Sequence, residues 1–396
     1  MRIAMIGPFG LAPKGTMRVR ALPLARALTA RGHDVKIIMP PWHTQEPSRR
    51  WEEDGIALEY VSLAPHWPGL GETLVALRLV RSALAWKPDV IHCFKPKGHA
   101  GLAAWLIWHL QRLGAIHTRL VIDEDDWEGP GGWNDLEPYS PPLKAFFVWQ
   151  ECWGLRHNDA VTVASRTLQS LVWSRGAPPN RVIYLPNGVE AIQQGNNAAV
   201  RKAYDLSDAP VILLYTRFFE FDVARAVAVY QRVVAQIPEA RLLVVGRGLF
   251  ARDDARFDAL VADAGLGDRV IRAGWVDQEA LPDYFAATDV AFYPFDDTLV
   301  NRTKCSVKLT DLLGAGVAVV ADAVGQNTEY IIHQETGLLT PAGDVEAMAL
   351  SIVRLLCDES LRRQLGQAAA KVMHTHYTWS ALAEQAIKAY ESRATV

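Results

Sequence analysis

Twelve residues, Ile122 to Trp133 (IDEDDWEGPGGW), hold the densest group of reactive side chains in the chain. Asp123, Glu124, Asp125 and Asp126 follow one another, Glu128 comes next, and a Gly/Pro turn closes the stretch. Carboxylates at this spacing can bind a metal, move protons or stabilise a developing positive charge. They can equally stand solvated in a loop or cap a helix. Strand side chains alternate, so at most two, such as Asp123 with Asp125 or Asp126, point to one side. Cations form the second group. Residues 1–50 carry nine Lys/Arg against Asp34 and Glu46, a local excess that suits a phosphate or an anionic surface, or a solvated basic face. Arg217 follows the apolar run VILLYT, and Arg302, Lys304 and Lys308 cluster in NRTKCSVKLTD. Lys308 and Asp311 stand one helical turn apart and share a face. Gly246 and Gly248 in VVGRG, like Gly314 and Gly316 in GAG, fit tight turns or a close approach of backbone to ligand. The loop GPFGLAPKGT (7–16) is not G-x-G-x-x-G and gives a nicotinamide reading no support. His92 ends an apolar run and reads as a satisfied buried histidine. His374 and His376 lack a third ligand nearby in sequence, which argues against zinc.

These groups need elements to position them. RIAMIG, DVKIIMP, DVIHCF, RLVID and AVTVAS are short apolar runs bounded by turn residues, and helical periodicity separates them. Leu22, Ala25 and Leu28 face one way in MRVRALPLARALTARGH, which Gly32 ends as a cap. After RVIYLPNGVE the alternation restarts with VILLYT, RLLVVG, RVIRAGW, DVAFYP, VAVVAD and TGLLT. IQQGNNAAVRKAYDLSDAP reads as a linker with a short helix. Strands alternating with helices imply right-handed βαβ units and parallel sheets, so the fold class is α/β with two Rossmann-like halves. Ligands of such sheets bind beyond the carboxyl ends of the strands, which places the reactive groups in the loops after MIG, HCF, VID, LYT, VVG and FYP. Two such domains facing each other would hold a ligand in the cleft between them.

With 396 residues, half of them hydrophobic, and a formal net charge of −3, the chain reads as an ordinary globular protein without a nucleic-acid signature. The four cysteines are scattered, with no C-x-x-C, which suits a reduced cytosolic chain. MRIAMIGPFG is too short and strand-like for a signal peptide, and no apolar run approaches the roughly 18 residues that span a bilayer. Of 13 tryptophans, 11 lie within residues 1–173. Indole faces stack on sugars and anchor at membrane interfaces, and the pair Trp105 and Trp108 fits lipid docking or, more simply, a core helix face.

In order and spacing, YLPNGV, LYTR, ARLLVVGRG, RVIRAGWV, VKLTDLLGAGVAVVAD and EYIIHQETGLL resemble the retaining glycosyltransferases of family 4, which have the GT-B fold. LARALTARGHDVKII, PDVIHCF and YTWSALAEQAIKAY are similar to other segments of that family. The resemblance implies two Rossmann-like domains facing a central cleft: an acceptor-side domain over 1–187, completed by a crossover helix over 378–396, and a nucleotide-sugar domain over 188–377. It places Arg217 on the donor diphosphate. The family's second cation, about five residues on, is replaced by Asp222, so Arg302, Lys304 or, preferably, Lys308 must serve. Asp311 takes the place of the acid that holds the ribose, and Thr303 that of the Glu that meets the transferred sugar. Gly246 approaches the donor, Trp275 lines the base unless it packs in the core, Glu329 matches the acid of the family's Glu-Tyr-Ile segment, and Gly15, with Lys14, belongs to the loop that closes on phosphate. Family members carry a His at the end of the strand matching RLVIDEDDW. Asp125 stands in that slot with Asp126 after it, and both are candidates for a catalytic role.

The function so implied is transfer of a hexose from a UDP- or GDP-sugar to an acceptor hydroxyl. The acceptor would be a sugar, a lipid-linked molecule or a small molecule, with no cofactor, no metal and no nucleic acid. The expected location is the cytoplasm, with peripheral contact at the inner membrane face. A GT-B sugar-nucleotide epimerase and a non-catalytic sugar-nucleotide-binding protein are the alternatives.

Overall fold

The computed structural model describes residues 1–12, 15–41, 48–65, 69–190 and 194–392; Lys14 lies outside them. The chain forms two compact units. The first gathers Met1–Gly188, Thr303–Cys305 and the chain from Thr378 onward, and the second holds Val189–Arg302 and Ser306–Tyr377. Thr303–Cys305 thus belong to the first unit although they lie deep within the sequence of the second. Among the described residues no helix is long and apolar enough to cross a membrane.

The first unit is built on β1 (Arg2–Ile6), β2 (Asp34–Met39), β3 (Arg49–Glu53), β4 (Ile56–Tyr60), β5 (Val90–Phe94), β6 (Arg119–Glu124), β7 (Ala160–Val163) and β8 (Val182–Tyr184). Their order is β3-β4-β2-β1-β5-β6-β7-β8, parallel except for β3, which pairs antiparallel with β4 across an Asp54-Gly55 turn. β1 has neighbours on either side that follow it in opposite directions, so the strand order reverses between β1 and β5. Their carboxyl ends form the switch point where a doubly wound sheet binds ligands. Helix Leu22–Ala30 is preceded by a wide π-type turn over Met17–Ala21. There Leu22 N–H reaches back to the Met17 carbonyl, and Pro23, next in line, has no N–H to give. This helix packs beside the last helix, Trp379–Glu391, and Leu24, Leu28, Leu382 and Ala386 join Ile3, Met5 and Ile37 in one core. Helices Leu70–Ala85, Gly98–Arg112 and Pro141–Gly154 lie side by side in a separate layer.

The second unit is built on β9 (Val211–Tyr215), β10 (Arg241–Val245), β11 (Val270–Gly274), β12 (Val290–Tyr293), β13 (Ala318–Asp322) and β14 (Leu338–Thr340). All pair in parallel in the order β11-β10-β9-β12-β13-β14, the dinucleotide-fold order with its switch point at β9. The central strands β9, β10, β12 and β13 are buried on both faces, which is why they read as continuous apolar runs rather than alternating ones. Helix Val223–Gln236 supplies Val227, Tyr230 and Val233 to the core. Asp222 accepts a hydrogen bond from Ala224 N–H and caps this helix. The acid that stands where relatives carry a cation therefore has a local structural task.

Candidate active site

At the switch point of the first unit the acidic row separates into parts with different environments. Asp123 faces the core. Arg20 donates to both its oxygens at 2.7 and 2.6 Å, and Thr162 Oγ1 donates to Oδ2 at 2.6 Å. Arg20 also donates to Asn187 Oδ1 and to the Leu185 carbonyl, and it is fully buried. Asn187, from YLPNGV, in turn donates to the Cys305 carbonyl at 2.9 Å. His92 Nε2 lies 3.0 Å from Thr162 Oγ1, and its Nδ1 lies 2.9 Å from Tyr390 Oη. The Thr162 proton goes to Asp123, so Nε2–H donates to Thr162 and the Tyr390 hydroxyl donates to Nδ1. Burial, with Arg20 nearby, drives His92 down to about 3, and the ring is neutral. The expectation that Asp123 shares a ligand-facing side with Asp125 or Asp126 is corrected: its oxygens are spent in a buried ion pair.

Glu124 points the other way. It is fully buried, neither of its oxygens has a hydrogen-bond partner, and burial beside Glu151 raises its pKa well above the usual carboxylate range. Glu151 is itself pushed up to about 8 by burial, although it accepts from Glu128 N–H at 2.7 Å. Glu124 is therefore held neutral, and the row carries less negative charge than its letters suggest. Asp125, Asp126 and Glu128 face the remaining cations. Lys95, just after β5, places Nζ 3.1 Å from Asp126 Oδ2, 3.2 Å from Glu128 Oε1 and 3.6 Å from Asp125 Oδ1. Burial alone would lower the Lys95 pKa, but these three carboxylates hold it well above the ordinary value. Lys97 Nζ lies 2.6 Å from Glu128 Oε2. Thr16 Oγ1 donates to Asp125 Oδ2 at 2.8 Å, and Gly15, exposed beside it, opens the following helical turn. Two segments singled out in the sequence, the loop after β1 and the end of β6, thus meet at Thr16 and Asp125. Asp125 Oδ1 has no hydrogen-bond partner. Trp127 fills the turn behind the row, and a Cβ on Gly129 would lie 2.3 Å from its ring.

Thr303 and Lys304 also belong to the first unit. Lys304 Nζ sits 6.0 Å over the Trp133 ring. Thr303 is fully buried, and its carbonyl accepts from Ser165 Oγ at 2.8 Å. A position aligned by family spacing with a sugar-contacting Glu is thus an interior residue here.

In the second unit the marked residues stand at three adjacent strand ends. Arg217, two residues past β9, is exposed; its carbonyl accepts from Leu249 N–H at 2.8 Å, and its guanidinium has no hydrogen bond or ion pair with any described residue. Gly246 ends β10 with φ +111°, and its N–H donates to the Gly274 carbonyl at 2.7 Å. Any Cβ there would lie 2.0 Å from the Thr216 carbonyl oxygen. We predict that Gly246→Ala costs at least ~2 kcal/mol from strained backbone and overlap; a thermal melt unchanged from the parent would contradict this. Trp275, just past β11, is 70% exposed, which removes the core-packing alternative for this indole. Arg247, which the sequence reading passed over, is exposed beside Gly246 and lies against Gly274. Its only signal is a cation directly after the strand-ending glycine.

Helix Val307–Gly314 brings Lys308 and Asp311 to the end of β9. Lys308 Nζ lies 5.8 Å from the Tyr215 ring centre and 3.7 Å from Oε1 of the buried Glu220. Burial pushes the Asp311 carboxyl up to about 7; Lys308 opposes this and Glu190 adds to it. Arg302, the other candidate cation, is held by Asp297 at 2.7 Å. Glu329 lies on the short helix Asn327–Tyr330 after β13, and its carbonyl accepts from Tyr377 Oη at 3.3 Å. Among the described residues no group of three His, Cys, Asp or Glu side chains is arranged to hold a metal ion. His374 Nε2 is engaged by the Gly314 carbonyl at 2.9 Å.

Residues 15–188 match the model of the glycosyl transferase 4-like domain, and residues 209–358 match that of the glycosyl transferases group 1. The chain is 28% identical to a D-inositol 3-phosphate glycosyltransferase of Stackebrandtia nassauensis, over 96% of this chain and 87% of that one. It is 24% identical to a phosphatidyl-myo-inositol mannosyltransferase of Mycolicibacterium smegmatis, over 99% and 94%. Among solved structures it resembles a sucrose-phosphate synthase from Thermosynechococcus elongatus with a TM-score of 0.73, at 23% identity and 98% coverage of both chains. With both domain models matched in order and two parallel-sheet units to carry them, the chain belongs to the family 4 type of glycosyltransferases and has the GT-B fold.

Proposed function

We propose that the protein transfers a hexose from a UDP- or GDP-sugar to an acceptor hydroxyl, with retention at the anomeric carbon and without a metal. The observation that carries this reading is the exposed Arg217 guanidinium just past β9, without a partner among the described residues, with Lys308 and Asp311 beside the same strand end. A leaving nucleoside diphosphate develops negative charge, and fixed cations aimed at it stabilise the transition state. Arg217 and Arg247 serve the diphosphate, Lys308 supports them, and Asp311 accepts from the ribose hydroxyls. Trp275 offers an open indole face to the base. The fitting arrangement on the first unit is Asp125, braced by Thr16 at Oδ2 and by Lys95 near Oδ1, as the carboxylate assigned to a developing oxocarbenium charge. Asp126 shares its cation. Glu329 is retained as a donor contact on the family resemblance alone.

The test is a panel of UDP-, GDP- and ADP-sugars with simple sugar, cyclitol and lipid-linked acceptors, with and without EDTA. Nucleotide release is followed, and product stereochemistry is read by NMR. The expected result is release from a UDP- or GDP-sugar that EDTA leaves unchanged, with the donor's anomeric configuration kept in the product. Donor binding without release from any combination would overturn the catalytic reading. Loss of activity in EDTA would return a metal to the acidic row.

A further inference from the structure

Phe218, next to Arg217, holds a backbone conformation that glycine adopts freely and a bulky residue does not, with φ +53°. Such a residue persists only where its surroundings fix it, and functional sites are where such strain collects. Its N–H donates to Thr216 Oγ1 at 2.8 Å. Its ring is buried 4.8 Å from that of Phe257, centre to centre, and the Arg272 guanidinium lies 5.0 Å over it. Arg272, on β11, donates to Asp254 Oδ1 on helix Ala251–Asp263, and Asp258 of the same helix faces it at 3.5 Å. The other Asp254 oxygen, Oδ2, accepts from Gly248 N–H at 2.7 Å. One residue on, Leu249 N–H donates to the Arg217 carbonyl at 2.8 Å. These contacts form a closed ring that joins the loop after β9, which carries Arg217, to the loop after β10, which carries Arg247.

An acid in the first turns of a helix also complements the helix dipole. That accounts for the charge of Asp254 but not for its aim. Phe250 stands at the cap of this helix without a side-chain cap, and Asp254 reaches past it to an amide of the preceding loop. A Cβ on Gly248 would lie 2.8 Å from the accepting oxygen, so loop and acid are in close approach. We infer that Asp254, with Arg272 and Phe218, is a positioning device: it holds the two loops in the arrangement from which Arg217 and Arg247 address one diphosphate. The inference rests on the role proposed above for those two arginines. Donors aimed before the reaction begins need no reorganisation in the transition state, whereas donors on loose loops must be ordered during it. Loss of the clamp therefore falls on kcat more than on ground-state donor affinity.

The experiment pairs amide hydrogen exchange on the free full chain with a kinetic cycle. In Asp254→Ala, exchange at Gly248 and Leu249 should quicken about 3- to 10-fold, the loss of one or two hydrogen bonds. Leu243 and Val244 within β10 should keep the parent's rate, which shows that the fold is intact. In nucleotide release, Asp254→Ala should lower kcat about 10- to 100-fold and change donor affinity far less. In an Arg217→Ala background, where part of what the clamp positions is gone, the further loss should be at least ~3-fold smaller than in the parent. Should Asp254→Ala not fold, Arg272→Gln, which leaves the Gly248 acceptor in place, carries the same two readouts. Unchanged exchange at Gly248 and Leu249, or equal losses of kcat in the parent and in Arg217→Ala, would overturn the inference. If Arg217→Ala itself leaves kcat intact, the diphosphate reading is what fails, and a clamp still seen by exchange then has no part in the transfer.

Discussion

Arg20→Met is expected to cost on the order of 3–5 kcal/mol of stability, because it leaves the Asp123 carboxyl in the core without its partner. The methionine fills most of the volume but supplies none of the four hydrogen bonds that Arg20 makes to Asp123, Asn187 and Leu185. The loss extends through Thr162 and His92 to Tyr390, since Asp123 is the acceptor at the end of that chain. In a thermal melt this corresponds to a fall on the order of 10 °C. Adding Asp123→Leu to Arg20→Met should recover much of the loss, since two apolar residues then replace both charges. A single variant melting within ~2 °C of the parent would show that the pair does not hold this core together. The same experiment separates structural from chemical acids in the row, since Asp123 sits only two residues from Asp125.

Arg217→Ala should lower kcat about 100- to 1000-fold, the effect of removing one preorganised donor from a site of developing negative charge. The guanidinium is exposed and has no partner among the described residues, so the melting temperature should stay put. Arg217→Lys should recover only part of the rate, because a single ammonium cannot offer the two parallel donors that a phosphate accepts. The measurement is nucleotide release at saturating donor, with donor affinity determined separately. A fall in affinity alone, with kcat intact, would show that Arg217 holds the ground state and the leaving group about equally.

The parallel strands were legible because each is a short run of Val, Ile and Leu between turn residues, and burial on both faces demands that composition. Hairpin β3–β4 was passed over because β3 (RRWEE) is a polar edge strand with exposed side chains. Its signal was the Asp54-Gly55 pair, whose φ values of 52° and 75° are those of a two-residue hairpin turn. The places of Arg217, Trp275, Lys308 and Asp311 in the fold were readable because a strand end or a single helical turn fixes their neighbourhood. Arg20 and Lys95 were not: Arg20 meets Asp123 across 103 positions of sequence, and no local rule reports such a pairing. Lys95 reads as a surface cation until the sheet order puts the end of β5 beside the end of β6. Thr303 shows the opposite difficulty, since spacing placed it in a family motif but could not tell that the position is interior.

The membership of the first unit has a consequence for how this protein is made. Its core draws on Leu382, Ala386 and Tyr390, and Asn187 takes its partner from Cys305, so residues 1–188 are not a self-sufficient folding body. A chain leaving the ribosome at roughly 5–20 residues per second emits the last helix on the order of 10–40 s after Gly188. During that interval the apolar groove awaiting Leu382 and Ala386 is open, and His92 lacks its Tyr390 partner. The second unit's sequence, which ends at Tyr377, is complete before that helix appears. Synthesis therefore finishes the half that begins later first, and the nascent first half is the stretch a chaperone would have to shelter.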